Sequence, residues 1–246
     1  KERMAAYGAD MNKYLDSGNE ARIKKAYESR DPRLQMAVIT PYAQYNGASS
    51  GIAHTYTLRW PYRGSDSAEP FDIRTDTNDK FYYLWRKFVP EGLEQTERDT
   101  YGLDIPLIRY AEVLLLKAEA LNEWGSTHES EAIRCVNEVR RRAGHVELNN
   151  ATYPATKVNG QSDLRERIRN EYYWEIGGED SMYFHELRWG TWKDKKFDNN
   201  RNGLMQMWGE TTYTWYWLGD QCWSWPIPAK EMEMNSNLEQ NEGWIN

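Results

Sequence analysis

The sequence predicts a mostly α fold built from antiparallel helical hairpins, with irregular loops and a few short β-strands. Three stretches carry that expectation. Along 104–124, DIPLIRYAEVLLLKAEALNEW, the residues Leu107, Tyr110, Ala111, Leu114, Ala118 and Leu121 recur at three- and four-residue steps, while Arg109, Glu112, Lys117 and Glu119 fall elsewhere. A second stripe, Ala132, Ile133, Val136, Val139 and Ala143, follows after a turn so short that the two helices must lie antiparallel. A third, Leu164, Ile168, Tyr172 and Ile176, runs up to the break at Gly177-Gly178.

The helix ends are written locally. Asp104 can accept the free N–H groups of a first turn, Pro106 tolerates a place within that turn, and Gly125 supplies a left-handed stop. Ser126 with Glu129 forms a capping-box pattern for the second helix, and Gly144 ends it. Ser162 or Asp163 caps the third. Nearer the start, Met4, Tyr7, Met11, Tyr14 and Leu15 sit at helical spacing, and Asn19 opens a shorter helix with Ile23, Ala26 and Tyr27. RDPRL, 30–34, stops it, because the residue before Pro32 is pushed out of helical geometry.

Residues 35–103 read as irregular with short strands. In HTYTLRW, Tyr56, Leu58 and Trp60 alternate with Thr55, Thr57 and Arg59, and Pro61 ends the strand. Gly64 to Ser67 is a loop, and FYYLWRKF, 81–88, a second strand. Met182 to Trp189 reads as a short helix, 211–218 as a strand, and the segment from Trp225 onward as a Pro-braced extended tail ending in turns.

The 246 residues contain no long linker, so 1–246 reads as one unit with a helical core at about 104–190 and a tail at 223–244. A net charge of −7 with both signs interspersed gives no basic stripe, which argues against nucleic acid and anionic membrane surfaces as partners. Cys135 and Cys222 match no metal spacing and read as free buried thiols. No apolar run is long enough to span a bilayer, and Lys1 opens into a polar helix rather than a signal peptide. The rings are unusual: 12 Trp and 17 Tyr stand against 5 Phe, so most carry a polar handle suited to a half-wet surface.

In this order the segments resemble the C-terminal portion of the SusD/RagB family, surface glycan-binding lipoproteins of Bacteroidetes. Four motifs carry the resemblance. They are RDPRL at 30–34; RKF at 86–88; DIPLIRYAEVLLLKAEALNE at 104–123, close to the family's PLIRYAEVLLMYAEALNE; and a tail with Pro226, Ile227, Pro228, Glu231, Asn235, Asn237, Leu238, Gln240, Asn241 and Gly243. The family's IR.ERR.EL.EG helix is matched at Ile168, Arg169, Glu171, Glu175 and Ile176, with Tyr172 where an Arg is usual. The resemblance implies TPR-like hairpins in an α/α superhelix, with further hairpins and an N-terminal lipid-anchored Cys preceding Lys1. It implies non-catalytic binding of oligosaccharide or polysaccharide at the outer face of the outer membrane, for delivery to a SusC-like TonB-dependent transporter. No cofactor and no metal is implied.

A glycan site needs Trp or Tyr faces beside polar side chains, because a sugar ring has an apolar face and a fringe of hydroxyls. Tyr42, Tyr45, Asn46, Tyr56, Arg59, Trp60 and Tyr62 put both kinds of group into one stretch and are the candidate carbohydrate-binding residues, although Leu58 between Tyr56 and Trp60 argues for a buried face. The cluster of Trp208, Tyr213, Trp215, Tyr216, Trp217, Trp223 and Trp225 is crowded enough to be a packed aromatic core under the tail. No catalytic residues stand out. Acidic pairs such as Asp66 with Glu69 are too common to mark a glycosidase, and Glu171 and Glu175 read as ion-pair partners of the nearby Arg167 and Arg169. His54, His128, His145 and His185 lack zinc spacing, and no phosphate loop or nucleophile elbow occurs. A glycoside hydrolase and a TPR-like adaptor for peptides are the alternatives.

Overall fold

The computed structural model describes residues 25, 27, 30–49, 51–62, 72–76, 84–92, 104–179, 181–196 and 217–244, with backbone only at 49, 59–62, 72–76, 195 and 196. They belong to two compact units, the larger within Asp10–Met182 and the smaller within Tyr183–Asn246. The expectations for 1–24, 64–67 and 211–216, and for the acidic pair Asp66 and Glu69, lie outside the described residues.

The helical part of the larger unit is three helices, α2 (Tyr110–Trp124), α3 (Glu129–Arg142) and α4 (Gln161–Ile176). The predicted stripes meet as expected. Leu114, Leu115, Ala118 and Leu121 of α2 are buried with Ala132, Ile133, Cys135, Val136 and Val139 of α3 and Leu164, Ile168, Tyr172 and Ile176 of α4. At about 25 cal/mol per Å² of apolar surface, such burial is what holds helices of this length together. α2 is apolar on two sides, however. Leu107 is 90% exposed and Tyr110 68%, so neither belongs to this core, and Val113, Leu116 and Trp124 continue the outer stripe.

Several ends differ from expectation, each for a local reason. α2 starts at Tyr110 rather than Asp104: the residue before Pro106 is disfavoured in the helix, and Arg109 stays extended at φ −116°, its guanidinium committed elsewhere. The capping box does not form, because Ser126–His128 winds as a 3₁₀ turn and Glu129 becomes the first α residue. α4 begins after Gly160, and Asp163 reaches back to accept the Asn159 backbone N–H at 2.8 Å. RDPRL opens a helix as well as closing one. Asp31 accepts the Arg33 N–H at 2.9 Å and Pro32 is the first residue of α1 (Pro32–Ala37).

The β part covers a smaller core of Ile39, Tyr45 and Leu58. β1 (Val38–Ile39) pairs antiparallel with β5 (Leu84–Trp85), so the strand expected over 81–88 is only two residues long among those described. β2 (Gln44–Ser49) and β3 (Ile52–Tyr62) form a hairpin with Tyr45 opposite Tyr56, and β4 (Asp72–Asp76) runs parallel on the other side of β3. β3 is longer than predicted and passes through Pro61. The ladder shifts register between Arg59 and Tyr62, which accommodates a residue with no N–H to donate.

An ion cluster joins the two parts. Glu171, with no exposed surface, accepts Arg33 Nη1 and Arg140 Nε, both at 2.7 Å. One turn on, Glu175 accepts Arg33 at 3.1 Å, Arg109 at 2.9 Å, and Arg142. Beyond the helix end, Glu179 takes Lys87 at 2.5 Å and Arg109 at 2.7 Å. Lys87 Nζ also donates to the carbonyls of Glu175 and Gly177, and Arg109 Nη2 to that of Glu175, satisfying groups a helix terminus leaves open. Arg167 and Arg169, the expected partners of Glu171 and Glu175, pair instead with Asp163 and Glu166 on their own helix. Neighbourhood in sequence favoured them; neighbourhood in space favours the others.

The smaller unit contains α5 (its range Ser181–Arg188 begins two residues earlier), α6 (Trp192–Lys196) and α7 (Ala229–Met234). The tail therefore holds a helix as well as the expected turns. Gln240 clasps Ile227 through both backbone groups, at 2.7 and 2.9 Å, and Asn241 Nδ2 donates to the Trp225 carbonyl at 2.6 Å. Trp217 packs on Trp223 at 5.0 Å, while Trp225 is exposed; Trp208, Tyr213, Trp215 and Tyr216 lie outside the described residues. Cys135 is buried and Cys222 only half-buried, both as free thiols.

Candidate functional site

The turn between β1 and β2 places Tyr42 in the lining of a cleft of about 440 Å³, half-buried and with its hydroxyl oxygen buried. Thr40 accepts the Ala43 N–H at 2.9 Å to close the turn, and Tyr42 N donates to the Leu58 carbonyl at 2.7 Å. Tyr42 holds φ +63°, a left-handed conformation uncommon for a side chain of this size. Among the described residues the cleft is lined by Tyr27 and Tyr42, by Gln35, Gln44 and Thr57, and by Arg86. Gln44 and Thr57 are cross-strand partners and share a face, so these two polar side chains line the cleft together.

Arg86 is fixed rather than free. Its Nε donates to Glu91 at 2.5 Å and its Nη2 at 3.0 Å, and Nη1 lies 3.4 Å from the Gln44 carbonyl. The Arg86 hydrogen bond holds the Glu91 carboxyl below its usual range against the smaller opposing effect of burial. A cleft of this composition offers two ring edges, amide and hydroxyl groups, and a charged donor already oriented. That is a chemistry for hydroxylated ligands.

The candidate residues separate by strand face. Tyr42 is at the cleft. Tyr45 is 6% exposed, packed in the small core with its hydroxyl donated to the Pro90 carbonyl at 2.8 Å, so it supports the surface from beneath and is closed to ligand. Tyr56, opposite it, is half-buried against the same core and edge-on to His54. Asn46 is exposed on the polar face, its Oδ1 accepting Thr55 Oγ1 at 3.2 Å. Arg59, Trp60 and Tyr62 are placed on β3 by their backbone, and their side chains lie outside the described residues. Tyr27, Gln35, Gln44, Thr57 and Arg86 were not anticipated. For Thr57 the signal existed: it alternates with Tyr56 and Leu58, and Leu58 faces the core. No group of three or more His, Cys, Asp and Glu side chains is placed to hold a metal ion among the described residues.

The chain belongs to the SusD family, whose sequence pattern matches residues 7–244. It is 32% identical over 139 residues to SusD-like protein P38 of Formosa agariphila, covering 56% of this chain and 24% of that protein. It is 28% identical over 161 residues to the starch-binding protein SusD of Bacteroides thetaiotaomicron, covering 65% of this chain and 25% of that one. Among solved structures, a SusD-like protein of Bacteroides fragilis superposes with a TM-score of 0.58 at 22% identity, over 89% of this chain and 39% of the other, which shows the fold. A SusD-like carbohydrate-binding protein of the same species gives 0.51 at 26%, over 86% of this chain and 42% of the other. The chain thus spans about a quarter of the length of these curated relatives. The mostly α class is the class of these structures.

Proposed function

We propose that this chain is the C-terminal portion of a non-catalytic surface protein that binds oligosaccharides and hands them to a TonB-dependent transporter of the outer membrane. The cleft at Tyr42 carries the reading: the Tyr27 and Tyr42 rings with amide, hydroxyl and guanidinium groups in one lining suit a sugar's apolar face and its hydroxyl fringe. Two relatives named for binding starch and carbohydrate support the ligand class. Asn46, Arg59, Trp60 and Tyr62 are included in the proposal as further sugar contacts, with Tyr45 and Tyr56 as support from the core side. Attachment to the surface through a lipid belongs to the same proposal and rests on the family; no helix among the described residues is long and apolar enough to cross a membrane.

The test is calorimetry with neutral oligosaccharides on the wild type and on Tyr42→Ala. Loss of one stacking face weakens binding by about tenfold, the equivalent of ~1.4 kcal/mol. Absence of binding by every oligosaccharide, or appearance of new reducing ends during incubation, refutes the reading. The second result would identify a glycoside hydrolase.

A further inference from the structure

The larger unit has a second opening, of about 330 Å³, on the solvent side of the ion cluster. Its walls set the apolar surfaces of Met36, Phe88 and Trp174 beside the cations Arg33, Lys87, Arg109 and Arg142 and one carboxylate, Glu175, which is itself paired with Arg33, Arg109 and Arg142. The cations are not equivalent. Lys87 spends its three donors on Glu175, Gly177 and Glu179, and Arg109 donates from Nε, Nη1 and Nη2 to Glu175 and Glu179. Arg142 differs: its side chain is 58% exposed and its one bond is to Glu175, so most of its guanidinium faces solvent.

Charge and shape agree. Among the described residues of the cluster, five cations, Arg33, Lys87, Arg109, Arg140 and Arg142, face four carboxylates, Asp31, Glu171, Glu175 and Glu179, and of the five Arg142 is the most exposed. Beside it Trp174 is 45% exposed; His145 stacks on its ring at 5.6 Å and 22°, and the Arg140 guanidinium lies over it at 5.7 Å, so the exposed part of the indole is what is left for a ligand. Phe88 is held against the opening by a backbone at φ +63°, the same uncommon conformation Tyr42 adopts at the first cleft.

A neutral sugar is satisfied by a ring face and neutral hydrogen-bonding groups. Here the exposed donor beside the half-exposed indole is the Arg142 guanidinium, whose fork matches a carboxylate or a sulfate. We infer that this opening binds an anionic saccharide unit, with the sugar ring on Trp174 and the acidic group on Arg142. The site is separate from the Tyr42 cleft, and either reading can fail without the other.

The experiment is calorimetry on the 246-residue chain with three probes: tetragalacturonate, a sulfated galactose tetrasaccharide and maltotetraose. At least one acidic probe binds about tenfold or more tighter than it does to Arg142→Gln, in keeping with a charge-assisted bond, and raised salt weakens it. Trp174→Ala weakens it similarly, and Tyr42→Ala leaves it unchanged. Which acidic probe binds distinguishes carboxylate from sulfate. The inference is overturned if neither acidic probe binds, if Arg142→Gln keeps Kd within about twofold, or if Tyr42→Ala abolishes acidic binding together with maltotetraose binding. Should Trp174→Ala unfold, Arg142→Gln and Arg142→Lys decide: the lysine keeps the charge without the fork and gives an intermediate affinity. Maltotetraose binding alone, lost in Tyr42→Ala, leaves the cleft reading standing and removes this one.

Discussion

Replacing Glu171 by glutamine tests whether the ion cluster holds the β cover to the helices. The side chain has no exposed surface, and its two oxygens accept Arg33 and Arg140 at 2.7 Å each. Glutamine keeps the shape and one acceptor but turns an N–H towards a guanidinium that cannot accept it. Arg33 retains Asp31 and Glu175, whereas Arg140, also buried, is left with the Val146 carbonyl at 3.0 Å. Breaking one side of a buried pair costs about 3–5 kcal/mol; with one partner still satisfied, about 3 kcal/mol is expected. At a urea slope of about 2 kcal/mol per molar, the midpoint falls by about 1.5 M. The assay is urea unfolding followed by far-UV circular dichroism at pH 7. Glu171→Leu combined with Arg140→Met removes both charges and recovers most of the loss, since the penalty comes from the orphaned cation. A midpoint shift under about 0.3 M for Glu171→Gln would show the cluster to be solvated and the reasoning wrong.

Acid should weaken the same cluster. Burial pushes the Asp31 and Glu175 carboxyls up, but bonds from Arg33 to Asp31 and from Arg109 and Arg33 to Glu175 outweigh it, so both lie below their usual 3.8 and 4.5. Groups depressed in this way contribute stability above the unfolded pKa and lose it as pH falls through the folded one, so thermal midpoints hold from neutral pH down to about 4.5 and then decline. Glu175→Gln flattens that acid limb; an unchanged limb counts against the assignment. Gly178→Ala should lower the midpoint temperature, because φ is +84° there and a Cβ would lie 2.7 Å from the Trp85 ring, a strain of about 1–3 kcal/mol. Trp60→Ala should weaken oligosaccharide binding by about tenfold with the fold retained; calorimetry showing unchanged affinity removes Trp60 from the site.

What the sequence made legible was whatever two neighbours in sequence decide. The faces of α3 and α4 and the stop at Gly144 follow from periodicity and from one residue's conformational freedom, and they stand where expected. The start of α2 was not legible in the same way. Arg109 bonds Glu175 and Glu179, 66 and 70 residues away, and that pairing holds it out of the helix. Glu171 meets Arg33 across 138 residues, while an arginine within five residues looked like the natural partner. At the site, Tyr45 and Tyr42 are both tyrosines of one short segment. One lies in register with Tyr56 on the core face and the other in a turn, a difference set by hairpin register rather than by residue type.

The motifs that carry the family resemblance and the residues that line the cleft are largely different sets. Arg33 of RDPRL, Lys87 of RKF, Arg109 of the central helix, and Glu171 and Glu175 of α4 all converge on the ion cluster, and Gln240 and Asn241 of the tail clasp backbone groups near Pro226. Only Arg86 has a foot in both, bracing the cleft wall through Glu91. Such motifs report that the scaffold is built, because a buried charge without its partner costs more than most single contacts return. Tyr27, Gln35, Tyr42, Gln44 and Thr57 answer to no comparable constraint: they sit on a turn, a helix end and the open face of a hairpin, where side chains change at little cost to the fold. Membership of the family therefore transfers architecture more securely than ligand. Variants at Tyr42 and at Trp174 and Arg142 thus test the two proposed sites with less risk to the scaffold than variants of the buried motif charge Glu171 or its partner Arg140.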